Sequence, residues 1–192
     1  IIKEAHAKGL RVSAHIFEME DAKGLMRAGL DAFADGVRDR DIDDETVAMF
    51  KQRPNIVLIP NLPDRGVKQD LSWLRPGMPA ADVDNLEKAN TDRPDLQAFY
   101  GIQARNLAKL NAVGVRIVMG TDGNRPWGPH EEMADMVAAG MTPMQVIVAA
   151  TRNGAELLRI DAGTLQAGKS ADFIVLDANP LDDITNTRRI AA

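Results

Sequence analysis

Four polar side chains stand where short apolar runs stop: His15 after "LRVSA", Asp35 after "LDAFA", Asn61 after "IVLIP" and Asp122 after "VRIVMGT". If those runs are neighbouring parallel strands, the four side chains gather on one rim. A histidine and carboxylates converging there could hold a divalent cation and leave a position open for water. The cation would lower the pKa of that water, and a nearby aspartate could accept its proton. The chain has three histidines (His6, His15 and His130) and no cysteine, so a metal site must draw on carboxylates or on residues outside this chain. The lack of cysteine also excludes a disulfide framework, a zinc finger, an iron–sulfur cluster and a thiol nucleophile.

Each of these residues also has a structural reading. His15 can be a hydrogen-bonded core histidine. Asp122, in "TDG", can cap a turn, and Asp35-Gly36 is by itself a generic turn. His6 falls inside a helical stretch as a structural or exposed residue. His130 lies between Gly128-Pro129 and Glu131-Glu132 and suits the start of a helix. The acidic run from Asp39 to Glu45 lacks the glycine and distal glutamate of a calcium loop. "GTDGNRPWG" has neither phosphate-binding glycine spacing.

The elements that must position these residues alternate along the chain. β-rich runs occur at Leu10–Ala14, Leu30–Ala34, Ile56–Ile59 and Val115–Met119. Helical patterns cover Ile2–Lys8, Met19–Ala28, Asp43–Gln52 and Leu96–Val113, with two more at Glu131–Ala139 and Pro143–Leu158. Strand followed by helix, four times over, predicts a parallel sheet wrapped by helices. Gly9, Gly29 and Gly114 are placed to end helices just before strands, and Pro54 ends a third helix that Asp43 or Asp44 begins. From Pro60 to Pro94 the chain is polar and proline-rich and reads as a long loop anchored at Trp73 and Leu74, the kind of segment that forms a lid or binding loop. After Leu158 a turn at Ala167–Lys169 leads to an expected strand at Ala171–Leu176 in a different sheet.

Composition bounds the rest. With 192 residues, 45% hydrophobic and 27% charged, the chain can build one sizeable core. A net charge of −5 and a pI near 5.2 argue against nucleic acid or anionic membrane as partners. No apolar stretch approaches the ~20 residues needed to cross a bilayer. The opening at Ile1 within a helical pattern, without Met, fits a portion of a longer protein.

Three segments together resemble the C-terminal half of a metal-dependent amidohydrolase, in the branch that includes imidazolonepropionase-like and prolidase-like enzymes. "AHAKGLRVSAHI" is similar to the helix and fifth barrel strand, "GVRIVMGTDG" with "GPHEEMADMVAAGMTPMQVIVAATRNGAELL" to the eighth strand and the helices after it, and "GTLQAGKSADFIVLDANPLDDI" to the return into a small β-sandwich. The resemblance implies an α/β fold: about four β/α units of a TIM-type (β/α)8 barrel over residues 1–160, then the start of a composite β-sandwich over 161–192. It implies a hydrolase of C–N bonds (an amide, cyclic amide or dipeptide) that uses one or two divalent ions, zinc first among them. His15 corresponds to the strand-five ligand. Asp122 corresponds to the strand-eight aspartate that touches the metal and shuttles the proton. The segment after Pro60 corresponds to the substrate loop after strand seven, with Arg65 and Trp73 as candidate substrate-binding residues, and His130 lies near the pocket.

Two departures qualify this resemblance. The family's second histidine, at the end of strand six, aligns with Asp35, a harder ligand that favours a harder ion or a changed site. The His-x-His of strand one and the lysine of strand four fall before Ile1, and a complete barrel takes about 250 residues. The isolated chain is therefore expected to be inactive and, with open strand edges, to self-associate as a homo-oligomer. The expected partner is otherwise a small-molecule substrate. A second reading keeps the barrel as a non-catalytic binding module, for which Asp35 is the best argument. A doubly wound α/β binding domain is a third, and no phosphate fingerprint supports it.

Overall fold

The computed structural model describes residues 1–123 and 125–191. Four short strands, β1 (Ser13–His15), β2 (Ala32–Ala34), β3 (Val57–Ile59) and β4 (Arg116–Ile117), form one sheet in the order β1-β2-β3-β4. All neighbours are parallel, with Ser13, Ala32, Val57 and Arg116 in one row and His15, Ala34 and Ile59 in another. The parallel sheet matches the sequence reading, but each strand is shorter than its apolar run. Leu10 in particular is exposed and precedes β1, whereas His15 lies within it.

Helices return the chain between strands: α1 (Ile2–Ala7), α2 (Met19–Ala28), α3 (Asp44–Lys51), α4 (Ala80–Ala89), α5 (Pro94–Ala112), α6 (Gly128–Ala138), α7 (Pro143–Ala150) and α8 (Arg152–Leu158). Gly29 shows how a helix hands over to a strand. At φ 95° it closes α2, its N–H donating to Met26 and that of Leu30 to Leu25, and β2 begins three residues later. The same pair of bonds closes α1 at Gly9-Leu10 and α5 at Gly114-Val115. Asp43 is the N-cap of α3, accepting from the Thr46 N–H at 2.8 Å, and its other oxygen holds the ammonium of Lys23 from α2 at 2.6 Å.

Apolar residues are buried on both faces of the sheet. Phe33 and Leu58 are buried, and the Phe33 ring lies 5.6 Å from that of Phe50 on α3. On the other face Ala32, Val57 and Val118 form a cluster with Ile59 and Leu157 of α8. The single helix expected over Pro143–Leu158 is broken at Thr151 (φ −122°, ψ −87°), whose hydroxyl donates back to the Ile147 carbonyl at 2.7 Å. Among the described residues no helix is long and apolar enough to cross a membrane.

The chain divides into two compact units, one of Ile1–Leu62 with Ile102–Ala192 and one of Pro63–Gly101. The second unit is more ordered than the long loop expected there. It contains a 3₁₀ turn at Ser72–Leu74 and α4, with Leu71, Leu74 and Val83 buried. Its two ends are tied by Lys68 N–H to Asp92 and Gln69 N–H to Asn90. In the first unit, the strand expected at Ala171–Leu176 is reduced to a single antiparallel bridge, Leu176 to Ile190. Phe173, Ile174 and Val175 are exposed, because no described strand lies beside them to complete a ladder. The chain then forms a 3₁₀ helix, Ile184–Arg188, which packs on α6 through buried Ile184 and Thr187.

Candidate functional site

The sheet fixes the height of the rim. His15 is the last residue of β1, and Asp35 follows β2 immediately, its N–H extending the ladder to Ile59 O at 2.8 Å. Asn61 follows β3 by two residues, whereas Asp122 lies five residues beyond β4. Asp35, Asn61 and Asp122 all have positive φ (82°, 43° and 43°), a region entered mainly by glycine and, among other residues, by Asn, Asp and His. The chain therefore turns sharply at each of these residues as it leaves the sheet.

Gly120 lets the β3 and β4 exits approach each other. A Cβ there would lie 2.6 Å from Ile59 Cγ2 and closer still to Asn61 Oδ1. No other residue fits without displacing the rim asparagine. The sequence reading assigned no role to Gly120, and only the pairing of the two strand exits explains it.

His15 and Asp35 are in contact. His15 Nδ1 bonds Asp35 Oδ2, and the Arg38 guanidinium bonds Asp35 Oδ1. The carboxylate is buried at 3% side-chain exposure, while the His15 side chain is 64% exposed. The Arg38 main-chain N–H donates to Phe17 O at 2.8 Å, and its guanidinium carbon sits 6.0 Å from the centre of the Phe17 ring. Nδ1 thus faces the buried carboxylate, and Nε2 belongs to the exposed part of the ring, with no described partner.

A buried acid that sequence reasoning missed stands behind the rim. Glu132 on α6 is 4% exposed, and its Oε1 accepts from the Leu62 N–H at 3.1 Å, one residue past Asn61. Burial pushes its carboxyl up to about 8, with the Asp135 and Asp35 carboxylates adding to the rise and the Leu62 N–H opposing it. Asp135, one turn further along α6, is also buried. The available signal was two acids at i and i+3, interleaved with Met133 and Met136 on the helix face that packs inward.

The other expected residues lie on different elements. Asp122 is exposed and makes no described hydrogen bond or ion pair. It follows β4, the strand at the other edge of the sheet from β1. His130 is half-buried, with Nδ1 at 3.1 Å from the Thr187 hydroxyl; burial, then the Arg188 charge, lowers its pKa. Arg65 and Trp73 belong to the Pro63–Gly101 unit. Among the described residues no three His, Asp or Glu side chains form a metal cage. As metal donors, His15 Nε2 and the Asp122 carboxylate fit, whereas both oxygens of Asp35 already have partners.

Comparison with known proteins places the chain in a family. The chain is 27% identical over 158 residues to an uncharacterized protein of Mycobacterium tuberculosis, covering 78% of this chain and 37% of that protein. It is 34% identical over 90 residues to imidazolonepropionase of Agrobacterium fabrum (42% of this chain, 22% of the enzyme). It is 42% identical over 94 residues to ochratoxinase of Aspergillus niger (46% and 19%). The structure of that ochratoxinase superposes over 98% of this chain and 41% of its own, with a TM-score of 0.69 and 25% identity. A Xaa-Pro dipeptidase with bound methionine superposes with a TM-score of 0.71 at 24% identity, over 98% of this chain and 44% of its own. The chain thus spans less than half the length of these relatives. The amidohydrolase family model matches residues 1–190, and this chain belongs to the amidohydrolase family.

Proposed function

We propose that this chain is the C-terminal part of a divalent-cation-dependent hydrolase of C–N bonds, acting on an amide, cyclic amide or dipeptide. Family membership and the names of the imidazolonepropionase, ochratoxinase and Xaa-Pro dipeptidase relatives support the bond class. When bound, the cation supplies Lewis-acid polarisation of the scissile carbonyl and acidifies the attacking water. His15 offers Nε2 to it from the end of β1. Asp122 takes the proton from the water and returns it to the leaving nitrogen. The remaining donors come from residues outside this chain, as its 19–37% coverage of these sequence relatives suggests. Zinc is the ion that the family resemblance implies, and an imidazole donor is compatible with it. The substrate is a small molecule, for which the family resemblance leaves Arg65 and Trp73 as candidate binding residues.

The observation that carries this reading is His15, exposed at the carboxyl end of a parallel strand with its inner nitrogen anchored. Substitution His15→Ala in the full-length protein tests it, with bound metal and hydrolysis of an amide panel as readouts. Loss of both metal and hydrolysis is expected; unchanged metal content overturns the assignment. A second reading, a non-catalytic barrel used for binding, is favoured by the two occupied oxygens of Asp35. It requires the wild-type protein to hydrolyse nothing in the same panel.

A further inference from the structure

Asn61 stands at the exit of β3, the strand between the two that lead to Asp35 and Asp122. The chain holds it there from several sides. Its backbone has φ 43°, so the strand ends in a turn at this residue. Its Oδ1 lies over Gly120, where any Cβ would collide with it. The next N–H, that of Leu62, is tied to the buried Glu132 at 3.1 Å. The carboxamide fixed in this way is itself uncommitted. Asn61 is partly buried, yet neither Oδ1 nor Nδ2 has a hydrogen-bond partner among the described residues. With Oδ1 nearest the Gly120 position and Cγ behind it, Nδ2 turns away from the β4 exit. A fold that excludes a methyl group at 120 to make room for an amide, and then leaves that amide unpaired, points to a partner that the chain does not supply.

We propose that Asn61 is a catalytic residue that donates an Nδ2–H to the oxygen of the scissile carbonyl. The placement of Asn61 rests on the β3 exit alone, and the identity of its partner rests on the hydrolase reading above. Negative charge builds on that oxygen as water adds to the carbonyl carbon. It is withdrawn as the C–N bond breaks and the nitrogen leaves with a proton. A donor already held in place meets this charge without reorganising. A carbonyl oxygen has two lone pairs, so the contact is compatible with polarisation by a cation. The flanking Asp35 and Asp122, when ionised, can only accept hydrogen bonds and cannot take this role.

The turn allows two clean substitutions. Asn61→Gly keeps the positive φ, which glycine adopts freely, and removes only the carboxamide. Asn61→Asp keeps the turn and nearly the shape but replaces the donor with an acceptor. A hydrogen bond that strengthens as charge develops lowers the barrier more than it tightens substrate binding, so its loss falls on kcat and not on KM. Loss of one donor of this kind typically costs about 10²–10³ in kcat.

The test uses the full-length protein and a panel of small amides, cyclic amides and dipeptides, with kcat, KM and bound metal as readouts. In Asn61→Gly, kcat is expected to fall about 100-fold or more, with KM within about threefold of wild type and metal content unchanged. Asn61→Asp should lose at least as much. A KM that rises at unchanged kcat, a kcat within about threefold of wild type, or loss of the metal overturns the assignment. If the wild type hydrolyses none of the panel, the hydrolase reading fails, and the same amides then serve as unreactive ligands. The Asn61 carboxamide signal, identified in ¹⁵N NMR by its absence from Asn61→Gly, must shift when they are titrated in; no shift overturns the contact as well. Circular dichroism and thermal melting establish that both variants are folded.

Discussion

Glu132 makes the stability of this protein depend on pH in a direction opposite to that of most carboxylates. An acid with an ordinary value of 4.5 that rises to about 8 in the fold keeps its proton in the native state across that window, while the unfolded chain gives it up. The native state then binds more protons than the unfolded state, so stability falls as pH rises from about 4.5 to 8. At about 1.4 kcal/mol per pH unit the full window amounts to roughly 4–5 kcal/mol, of which roughly 3 kcal/mol is already lost at pH 7. The substitution Glu132→Gln removes the ionisation. The amide oxygen can still accept from the Leu62 N–H, and the neutral amide removes the repulsion by the Asp135 and Asp35 carboxylates. Denaturant unfolding of wild type and variant at pH 5, 7 and 9 isolates this contribution as their difference, because all other titrating groups are shared. The variant should gain on the wild type steadily across this range, by a few kcal/mol at pH 9. Parallel pH profiles, or a variant that is less stable at pH 9, would refute the reasoning and show that Glu132 is ionised in the native state.

Two other substitutions probe the same unit. Gly120→Ala forces a methyl against Ile59 and Asn61, and should lower stability by about 1–3 kcal/mol, measured by denaturant unfolding; wild-type stability would show that the two strand exits are further apart. Gln103 on α5 is 2% exposed, and among the described residues both carboxamide atoms lack a hydrogen-bond partner beside the apolar side chains of Ile42, Leu58 and Leu107. Replacing it with Met should stabilise the protein by about 1–3 kcal/mol, the cost of an unsatisfied buried amide, and raise its melting temperature; a loss of stability would mean that the amide is hydrogen-bonded.

The sequence was informative where local rules decide the outcome. The helix ends at Gly9, Gly29 and Gly114, the cap at Asp43 and the four parallel strands follow from turn residues and hydrophobic period alone. It was less informative where a distant partner decides. The run Ala171–Leu176 has strand-forming residues, but a strand exists only with a neighbour, and here a single bridge forms. The segment "AADVDNLEKA" looked like loop because prolines flank it, yet Val83 finds a buried place and α4 forms. The sequence reading assigned no role to Glu132 or Asp135; their burial depends on which face of α6 meets the β3 exit, and helical spacing does not specify that.

Position 35 shows how these levels meet. The backbone there has φ 82°, a conformation that Asp, Asn and His all tolerate, so an exchange between imidazole and carboxylate at this point need not disturb the turn. The choice is instead chemical. A histidine following β2 would bring a second donor to the rim and would leave Arg38, half-buried and positively charged, without its acceptor. A carboxylate neutralises Arg38 and grips His15, at the expense of its own availability to a cation. Asp35 and Arg38 are therefore one feature: a histidine at 35 should become a working ligand only when Arg38 is replaced as well.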